Sequence, residues 1–387
     1  MRKGRVVYVV NHVAFFVSHR LPLAAAARQA GLEVSLLTGK SGSDEMERTA
    51  VMQLQLADIS HSRAVFTSSG MNPLTEGFGI LQLVWFILRF RPDIVHCASP
   101  KGVLYGGLAA RICRVPGLVL AISGMGYAYT AGNERINLRT LIRRVYGVLA
   151  RFAFHHPNVR VIVQNHDDRK SLTEKGLAQE LSVRLIPGSG VDLSLFEGCS
   201  AAKKSNIVLL PSRMIKDKGV EEFVNAARRV KSVAPDWRFV LAGAAGYDNP
   251  SAINCDRLHR WQSDGYVEWL GHVAEMIPLF RESAIVCLPS YREGMPKVLL
   301  EAAAAGCAVV TTDAIGCREA VEPGVTGDLV PVGDSDALAD AILSLIKDEQ
   351  RRLSYGDKGQ ERAKALFSVN SVVSQTMEIY EELLSYE

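Results

Sequence analysis

Both halves of the chain alternate short runs rich in β-branched residues with helical segments, and this alternation restricts the fold more than any other feature. Strands separated by helices pair in parallel, and a parallel sheet is covered by helices on both faces. The sequence therefore predicts an α/β protein with two doubly wound, Rossmann-like domains facing across a cleft. The predicted strands cover residues 6–10, 33–37, 93–96, 118–122, 160–163 and 184–186 in the first half, and 206–210, 238–241, 267–269, 284–287 and 308–311 in the second.

Helices are predicted between these strands, and the clearest cover residues 21–30, 74–90, 102–112, 136–154, 220–230, 296–305 and 336–346. A stretch rich in glycine, proline and small polar residues between Pro187 and Asn206 has the composition of a linker. We therefore predict a first domain over residues 1–195, a second over 196–367, and a final helical segment over 368–387. Whether that segment packs back on the first domain is left open by the sequence.

The composition is that of a soluble globular protein, with 387 residues, 48% of them apolar and 22% charged. The most apolar segment, Leu81–Phe90, is about half as long as a membrane span and is interpreted as a buried helix. The N-terminal apolar run is too short for a signal peptide and suits a first strand. Seven scattered cysteines without a CxxC pair favour a reducing compartment, so a cytoplasmic location is expected.

Charge is distributed unevenly between the two halves. Residues 1–195 hold 23 basic and 13 acidic side chains, a net charge of +10, whereas the remainder holds 21 basic and 28 acidic, a net charge of −7. Between Ile94 and His166 nine basic residues face one acid, Glu134. This half is expected to attract an anionic partner, either a nucleic acid, an acidic lipid or a phosphorylated substrate.

One nine-residue segment, Glu293-Gly-Met-Pro-Lys-Val-Leu-Leu-Glu301, combines an acid on a loop with a second acid inside a predicted helix. Pro296 suits the first helical position because its missing N–H would have no partner there. The amides of residues 297–299 would then be free to bind a phosphate at the positive end of the helix dipole. Glu301 lies on a helix otherwise built for burial, where a carboxylate requires a polar partner. The segment predicts a phosphate site with sugar hydroxyls on either side.

A basic segment, Pro211-Ser-Arg-Met-Ile-Lys-Asp-Lys-Gly219, directly follows the first predicted strand of the second half. Open parallel sheets bind ligands at the carboxyl ends of their strands. Arg213 would offer a forked donor there and Lys218 a point charge, and both suit a diphosphate. The alternative is a solvated basic loop, but the nearby acidic segment favours the diphosphate.

These segments belong to an ordered set that also includes Leu270-Gly271, Pro289-Ser-Tyr-Arg, Gly316-Cys-Arg-Glu319 and Gly324-Val-Thr-Gly327. The set resembles that of the retaining glycosyltransferases of family 4, in particular the branch that assembles capsular and O-antigen polysaccharide. The resemblance implies the two-domain GT-B fold. It also implies transfer of a hexose or N-acetylhexosamine from a nucleotide-diphosphate sugar, expected to carry UDP, to a glycan on undecaprenyl diphosphate. Such an enzyme would act peripherally at the cytoplasmic face of the membrane.

The resemblance assigns roles to positions that match the family's motifs. Arg213 and Lys218 would bind the donor diphosphate and Glu293 the hydroxyls of the transferred sugar, and these three are the predicted catalytic residues. Fixed cations would stabilise the charge that develops on the leaving diphosphate, so neither a metal nor another cofactor is expected. The other predicted donor-binding residues are Glu301, at the ribose hydroxyls, Gly294, Met295, Pro296, Lys297, Val298 and Leu299, along the sugar and phosphates, and His272 and Val273, near the base.

The acceptor site is expected in the first domain. The segment from Asn11 to Arg20 resembles the family's acceptor-facing loop. Many family members carry a histidine where Ser123 stands, so a mechanism that relies on a side-chain base from that position is in doubt. Asn165, which follows the predicted strand over residues 160–163, either faces the acceptor site or caps the next helix. The predicted acceptor-side residues are Asn11, His19, Ser123, Gly124 and Asn165.

Five arginines without an intervening acid accompany the predicted helix over residues 136–154. This pattern fits a helix that lies on an anionic membrane surface, and the alternative is an ordinary solvated basic face. The five are Arg135, Arg139, Arg143, Arg144 and Arg151.

Glycosyl transfer has three alternatives. A nucleotide-sugar epimerase or hydrolase would use the same diphosphate site without an acceptor surface. A dinucleotide oxidoreductase would require Gly-x-Gly-x-x-Gly after a first strand, and Gly243 with Gly246 lacks that pattern. A nucleic-acid-binding protein could use the basic half, but stacking aromatic residues are not interleaved there, so no nucleic-acid partner is predicted.

Overall fold

The computed structural model describes residues 4–40, 44–67, 72–124, 147–202, 204–246, 249 and 251–385. The chain forms two compact units, the first comprising Met1–Ser189 with Val372–Glu387 and the second comprising Gly190–Ser371. The predicted boundary at residue 195 lies inside the second unit, because Val191 is bonded to the end of that unit. Its amide donates to the carbonyl oxygen of Phe367 at 2.8 Å, and its carbonyl oxygen accepts from the amide of Val369 at 2.9 Å.

The first unit contains a parallel sheet of seven strands in the order β3-β2-β1-β4-β5-β6-β7, with a hydrophobic core on each face. The strands are β1 (Arg5–Val10), β2 (Glu33–Lys40), β3 (Ser60–Thr67), β4 (Ile94–Ala98), β5 (Gly117–Ile122), β6 (Val159–Val163) and β7 (Val183–Leu185). The helices are α1 (Val13–Gln29), α2 (Asp44–Leu56), α3 (Pro73–Phe90), α4 (Gly107–Ile112), which continues from a π-helical turn (Gly102–Gly106), and α5 (His166–Glu174), and residues 147–154 are also helical.

The second unit contains a parallel sheet of six strands in the order β10-β9-β8-β11-β12-β13, again with a core on each face. Its strands are β8 (Ser205–Pro211), β9 (Arg238–Ala242), β10 (Glu268–Trp269), β11 (Ser283–Leu288), β12 (Ala308–Thr312) and β13 (Gly327–Val330). Its helices are α6 (Val220–Lys231), α7 (Cys255–Ser263), α8 (Ile277–Glu282), α9 (Lys297–Ala304), α10 (Ser335–Lys347) and α11 (Glu349–Leu366).

Each sheet has one point at which the winding direction reverses. In the second unit the chain leaves β8 towards β9 on one side and returns to β11 on the other. In the first unit β1 is flanked in the same way by β2 and β4. The loops after the two central strands diverge at such a point and open a crevice at the carboxyl edge of the sheet, where ligands bind.

Two predictions for the first unit are wrong. The segment from Asn11 to Arg20 is not a loop, because α1 already begins at Val13, where the imidazole Nδ1 of His12 accepts the amide of Phe15 at 3.2 Å. Leu81–Phe90 is not a buried segment, because α3 lies on the surface and exposes the residues of its outer face. Among the described residues, no helix combines the length and hydrophobicity required to cross a membrane.

The C-terminal helix (Val369–Leu384) packs against the first unit through a buried polar cluster. Tyr380 Oη lies 2.7 Å from His96 Nδ1 and 2.9 Å from Tyr8 Oη, and Arg20 is buried beside them. Burial, reinforced by the charge of Arg20, holds the pKa of His96 well below its usual value. The imidazole is therefore neutral in the folded unit and would disrupt the cluster if it were protonated.

Acid should destabilise the first unit through this histidine. Below about pH 6.5 the unfolded chain binds a proton that the folded unit does not, so the free energy of unfolding falls by up to about 1.4 kcal/mol per pH unit for His96. Hydrogen exchange of β1 and β4 at graded urea concentrations, repeated between neutral and acidic pH, would measure this slope. His96→Gln should reduce the slope by the contribution of one bound proton, and a slope equal to that of the unchanged protein would contradict the assignment.

Candidate active site

The candidate site of the second unit lies at the reversal point of its sheet, where the loops after β8 and β11 meet. Gly219 ends the first loop with a φ of +70°, and a Cβ atom added there would lie 2.1 Å from the carbonyl oxygen of Pro289. Only glycine allows this approach. The two loops are also bonded directly, since the amide of Tyr291 donates to the carbonyl oxygen of Asp217 at 2.9 Å. The basic and acidic segments of the sequence are thereby brought together.

Lys218 and Glu293 form the centre of the site. Lys218 Nζ donates to Oε1 of Glu293, and Ser290 Oγ lies 2.7 Å from the same carboxylate oxygen. The side chains of Lys218 and Glu293 are 19% and 13% exposed, so the pair is shielded but still accessible from solvent. The arrangement holds the carboxylate by one oxygen beside an ammonium group. It suits a ligand that carries both negative charge and hydroxyl groups.

The loop that carries Glu293 is held at the carboxyl edge of the sheet by backbone contacts. The amide of Glu293 donates to the carbonyl oxygen of Ile315 at 2.9 Å. Gly316 follows with a φ of +81°, and an added Cβ atom would lie 2.4 Å from the carbonyl oxygens of Glu293 and Gly294. A motif glycine after β12 therefore fixes the position of the acid that follows β11.

The start of α9 differs from its prediction in one detail. Pro296 is the N-cap residue with extended geometry, and the helix begins at Lys297. The amide of Leu299 donates to the carbonyl oxygen of Pro296 at 2.9 Å, so the prediction that this amide is free was wrong. The helix starts one residue later than expected because the proline adopts a ψ of 108°, outside the helical range.

Glu301 lies one turn into α9, where its carboxylate is 3.5 Å from the ammonium group of Lys297. Burial raises the pKa of Glu301, and the neighbouring Lys297 opposes that effect. A carboxylate in such a setting gains from a second polar partner, such as a sugar hydroxyl.

Three other predicted donor-side residues, Arg213, His272 and Val273, lie at the same carboxyl edge of the sheet and differ in solvent exposure. Arg213 is exposed two residues after β8. His272 is also exposed, whereas Val273 packs against the core cluster that contains Leu299. The structure therefore joins Lys218 with Glu293 and Lys297 with Glu301, and places the others along the edge. In the described part of the chain, no group of three or more His, Cys, Asp or Glu side chains could hold a metal ion.

Two family models match the chain, one described as glycosyl transferases group 1 over residues 205–348 and the other as a glycosyl transferase 4-like domain over residues 18–188. An alpha-maltose-1-phosphate synthase of Mycolicibacterium smegmatis is 30% identical over 319 residues, which cover 75% of this chain and 79% of that enzyme.

The chain belongs to the group 1 glycosyltransferases. The resemblance seen in its motifs is confirmed, and the protein is an enzyme of the transferase class. The N,N'-diacetylbacillosaminyl-diphospho-undecaprenol alpha-1,3-N-acetylgalactosaminyltransferase of Campylobacter jejuni is 25% identical to it over 390 residues, which cover 97% of this chain and 98% of that one. The structure of Anabaena Alr3699/HepE in complex with UDP covers 98% of this chain and all of its own, at 20% identity and a TM-score of 0.76. The fold is therefore GT-B, as the sequence predicted.

In the first unit of this glycosyltransferase, two predicted acceptor-side amides have structural partners. Asn11 Oδ1 accepts from Ser99 Oγ at 2.8 Å and from the amide of Gly102 at 3.1 Å, which joins the loops after β1 and β4. Asn165 caps α5, because its Oδ1 accepts the amide of Asp168 at 2.7 Å and its Nδ2 donates to that residue's carboxylate. Of the two alternatives for Asn165, the cap is the one that the structure shows.

The other acceptor-side residues differ in their surroundings. His19 lies within α1, where its ring stacks on Phe15 at a centroid distance of 4.6 Å and its Nδ1 lies 2.5 Å from Ser18 Oγ. Ser123 is exposed directly after β5, and Gly124 follows it with a φ of +112°. Four of the five arginines predicted to meet a membrane (135, 139, 143 and 144) and most of helix 136–154 lie outside the described residues.

Ser290 also belongs to the site of the glycosyltransferase, although it was not predicted there. Its hydroxyl lies 2.7 Å from Glu293 Oε1 and 3.0 Å from the carbonyl oxygen of Asp217, and its single proton can bond to only one of them at a time. The sequence could have indicated this residue, because Ser290 follows the end of β11 by two positions and precedes Glu293 by three.

Proposed function

We propose that this glycosyltransferase moves a hexose or N-acetylhexosamine from a UDP-sugar to a growing glycan, with retention of anomeric configuration. One observation carries the proposal, namely the contact of Lys218 and Ser290 with a single carboxylate oxygen of Glu293 at the reversal point of the second sheet. The ammonium group of Lys218 can bind the diphosphate of a nucleotide sugar, and the carboxylate of Glu293 can bind the hydroxyl groups of its sugar ring.

The residues of the second unit have distinct roles in this proposal. Cleavage of the bond between the anomeric carbon and the phosphate oxygen places negative charge on the departing UDP. Lys218 and Arg213 bind that diphosphate more strongly as its charge develops, which lowers the barrier. Glu293 accepts hydrogen bonds from hydroxyl groups of the transferred sugar and so orients the ring, and Glu301 does the same for the ribose. Because side chains supply the positive charge, we expect transfer to continue in the presence of a chelator.

We propose a sugar on undecaprenyl diphosphate as the acceptor, used at the cytoplasmic face of the membrane in capsule or O-antigen synthesis. The Campylobacter jejuni relative, named for a diphospho-undecaprenol acceptor, supports this proposal over almost its whole length. The net charge of +10 in residues 1–195 supports it as well, since both the acceptor diphosphate and the membrane around it are anionic. In this proposal Asn11, His19, Ser123 and Gly124 line the acceptor side.

A panel of nucleotide sugars incubated with purified protein would test the proposal. Thermal stabilisation should occur with UDP-sugars, and stabilising donors should then label a lipid-linked saccharide extracted from bacterial membranes. Product configuration, read from the anomeric proton coupling, should match that of the donor. Stabilisation by UDP-sugars with hydrolysis or epimerisation but without transfer would favour the alternative enzyme, and a lack of stabilisation by every donor would contradict the proposed site.

A further inference from the structure

Helix α3 is apolar on two opposite faces, which is unusual for a helix at the surface of a unit that faces water. Its inner side chains, Leu83 and Ile87 among them, belong to the core under the sheet. Its outer face carries five side chains at alternating steps of four and three residues, each with between 55% and 85% of its surface exposed: Leu74, Phe78, Leu81, Trp85 and Leu88. We refer to these five residues as the apolar stripe.

Polar residues do not interrupt the apolar stripe. Between Leu74 and Leu88 the one other exposed residue is Gly77. The acid of this helix, Glu76, is buried and lies 2.8 Å from the ammonium group of Lys101, so the exposed face carries no carboxylate. Single exposed apolar residues are ordinary on soluble proteins, but a continuous row of large ones marks an interaction surface.

Positive charge borders the stripe. At its end the guanidinium of Arg89 lies 5.9 Å from the centre of the Trp85 ring. Helix α4 adjoins α3, since Cys113 Sγ lies 3.7 Å from the carbonyl oxygen of Val84, and the neighbouring Ile112 and Arg114 are exposed.

The helical residues 147–154 extend this surface. The Arg111 guanidinium of α4 lies 4.5 Å from the centre of the Phe152 ring, and Phe152 and Val148 are 43% and 66% exposed one turn apart. Arg151 is exposed beside them. The surface therefore combines apolar side chains with arginines, in a region where the sequence holds a single acid between residues 94 and 166.

We propose that α3, the end of α4 and residues 147–154 dock on an anionic lipid bilayer. The apolar stripe would enter the boundary between headgroups and acyl chains, while the arginines would bind lipid phosphates. A tryptophan at the rim of such a surface suits the interface, because its ring is apolar and its N–H is polar. The positive charge favours lipid over a second copy of the chain, since a twofold interface on this surface would oppose like charges. The purpose of docking rests on the proposed function, which places the acceptor in a membrane.

Flotation of the full-length protein with phosphatidylcholine vesicles, prepared with and without phosphatidylglycerol, would test the docking. We expect binding to the anionic vesicles, and at least about tenfold weaker binding for Leu81→Ser/Trp85→Ser, because two large apolar groups no longer leave water. The matched control is Met52→Ser/Leu56→Ser, which changes two residues of α2 that are 64% and 87% exposed in the same unit. The control should bind as the unchanged protein does.

Tryptophan fluorescence gives an independent measurement. Of the four tryptophans, Trp237 and Trp261 are buried and Trp269 is half-buried, so Trp85 is the one placed to report insertion. Brominated acyl chains should quench the emission of the vesicle-bound protein, and Trp85→Phe should remove the quenching while retaining flotation. Flotation without quenching would overturn insertion of the stripe.

Three further outcomes separate this proposal from others. Equal flotation of the stripe variant and its control would overturn it. A dimer in lipid-free solution that dissociates in Leu81→Ser/Trp85→Ser would assign the stripe to a second copy instead. Both variants should still hydrolyse or transfer a UDP-sugar in detergent solution at unchanged rates, whereas a protein that floats but never transfers sugar would contradict the proposed function and leave the docking intact.

Discussion

Glu293→Ala is expected to lower turnover about 10²- to 10³-fold, while UDP binds as tightly as before or more tightly. The carboxylate is fixed by Lys218 and Ser290, so its remaining capacity to accept hydrogen bonds is already oriented before the donor sugar arrives. Its removal takes away contacts with the sugar and not with the nucleotide. It also releases Lys218 from a competing anion, which leaves the full ammonium charge for the diphosphate.

Initial rates at saturating donor and calorimetric titration with UDP would measure these two effects. Glu275→Ala is the matched control, because this acid is exposed on the loop before α8. The control should change neither quantity. Unchanged turnover in Glu293→Ala would remove the residue from the site, and a large loss of UDP affinity would show that the carboxylate acts by holding Lys218 in place.

Lys218→Met is expected to weaken UDP binding about 10- to 100-fold and to leave uridine binding unchanged. A hydrogen bond from an ammonium group to a phosphate contributes about 1.5–3 kcal/mol, and each 1.4 kcal/mol is a factor of about ten in affinity. The nucleoside lacks the phosphates, so it should be insensitive to the change. Calorimetry with UDP and uridine on the same preparation would show the difference.

Lys216→Met is the natural control, because this exposed lysine occupies the same 3-10 turn (Lys216–Lys218) and carries the same charge. It should reduce UDP affinity by far less. Lys218→Met also leaves Glu293 without its cation. A double-mutant cycle of Lys218→Met, Glu293→Gln and the double variant separates loss of the phosphate contact from repulsion by the bare carboxylate. Equal losses for UDP and uridine would contradict the assignment of Lys218.

The central strands were predictable from sequence, whereas an edge strand was not. β8 and β11 are buried along most of their length, so their residues form continuous apolar runs. β3 lies at the edge of its sheet, and its sequence, Ser60-His-Ser-Arg-Ala-Val-Phe-Thr67, begins with polar residues because few of its positions are buried. Its sequence pattern therefore did not distinguish it from a loop.

The helix after β1 was predicted to begin at Leu21, whereas α1 begins at Val13. A start at Leu21 would place Pro22 in the first turn, where its missing N–H costs nothing. The structure instead places Pro22 inside a helix of 17 residues, where the proline lacks the N–H that would bond to the carbonyl of Ser18. His19 thus lies on a helix where a loop was expected.

The motifs predicted that the two segments converge on one diphosphate, but not that their side chains are in direct contact. Lys218 and Glu293 are 75 positions apart, and each was assigned its own ligand group. That they share an ion pair depends on β8 and β11 being neighbours, which only the strand order reveals. Helix periodicity likewise marks two apolar faces on α3 without telling which one meets the sheet.

The attachment of the C-terminal helix to the first unit bears on how the chain folds during synthesis. Residues 1–189 emerge from the ribosome first. Tyr8 and His96 can contact Tyr380 only after the whole second unit has emerged. Residues 1–189 therefore lack the packing of the C-terminal helix until the end of the chain has been translated. A nascent chain stopped before residue 369 should be cleaved by protease in its first unit, and the finished chain should resist the same treatment.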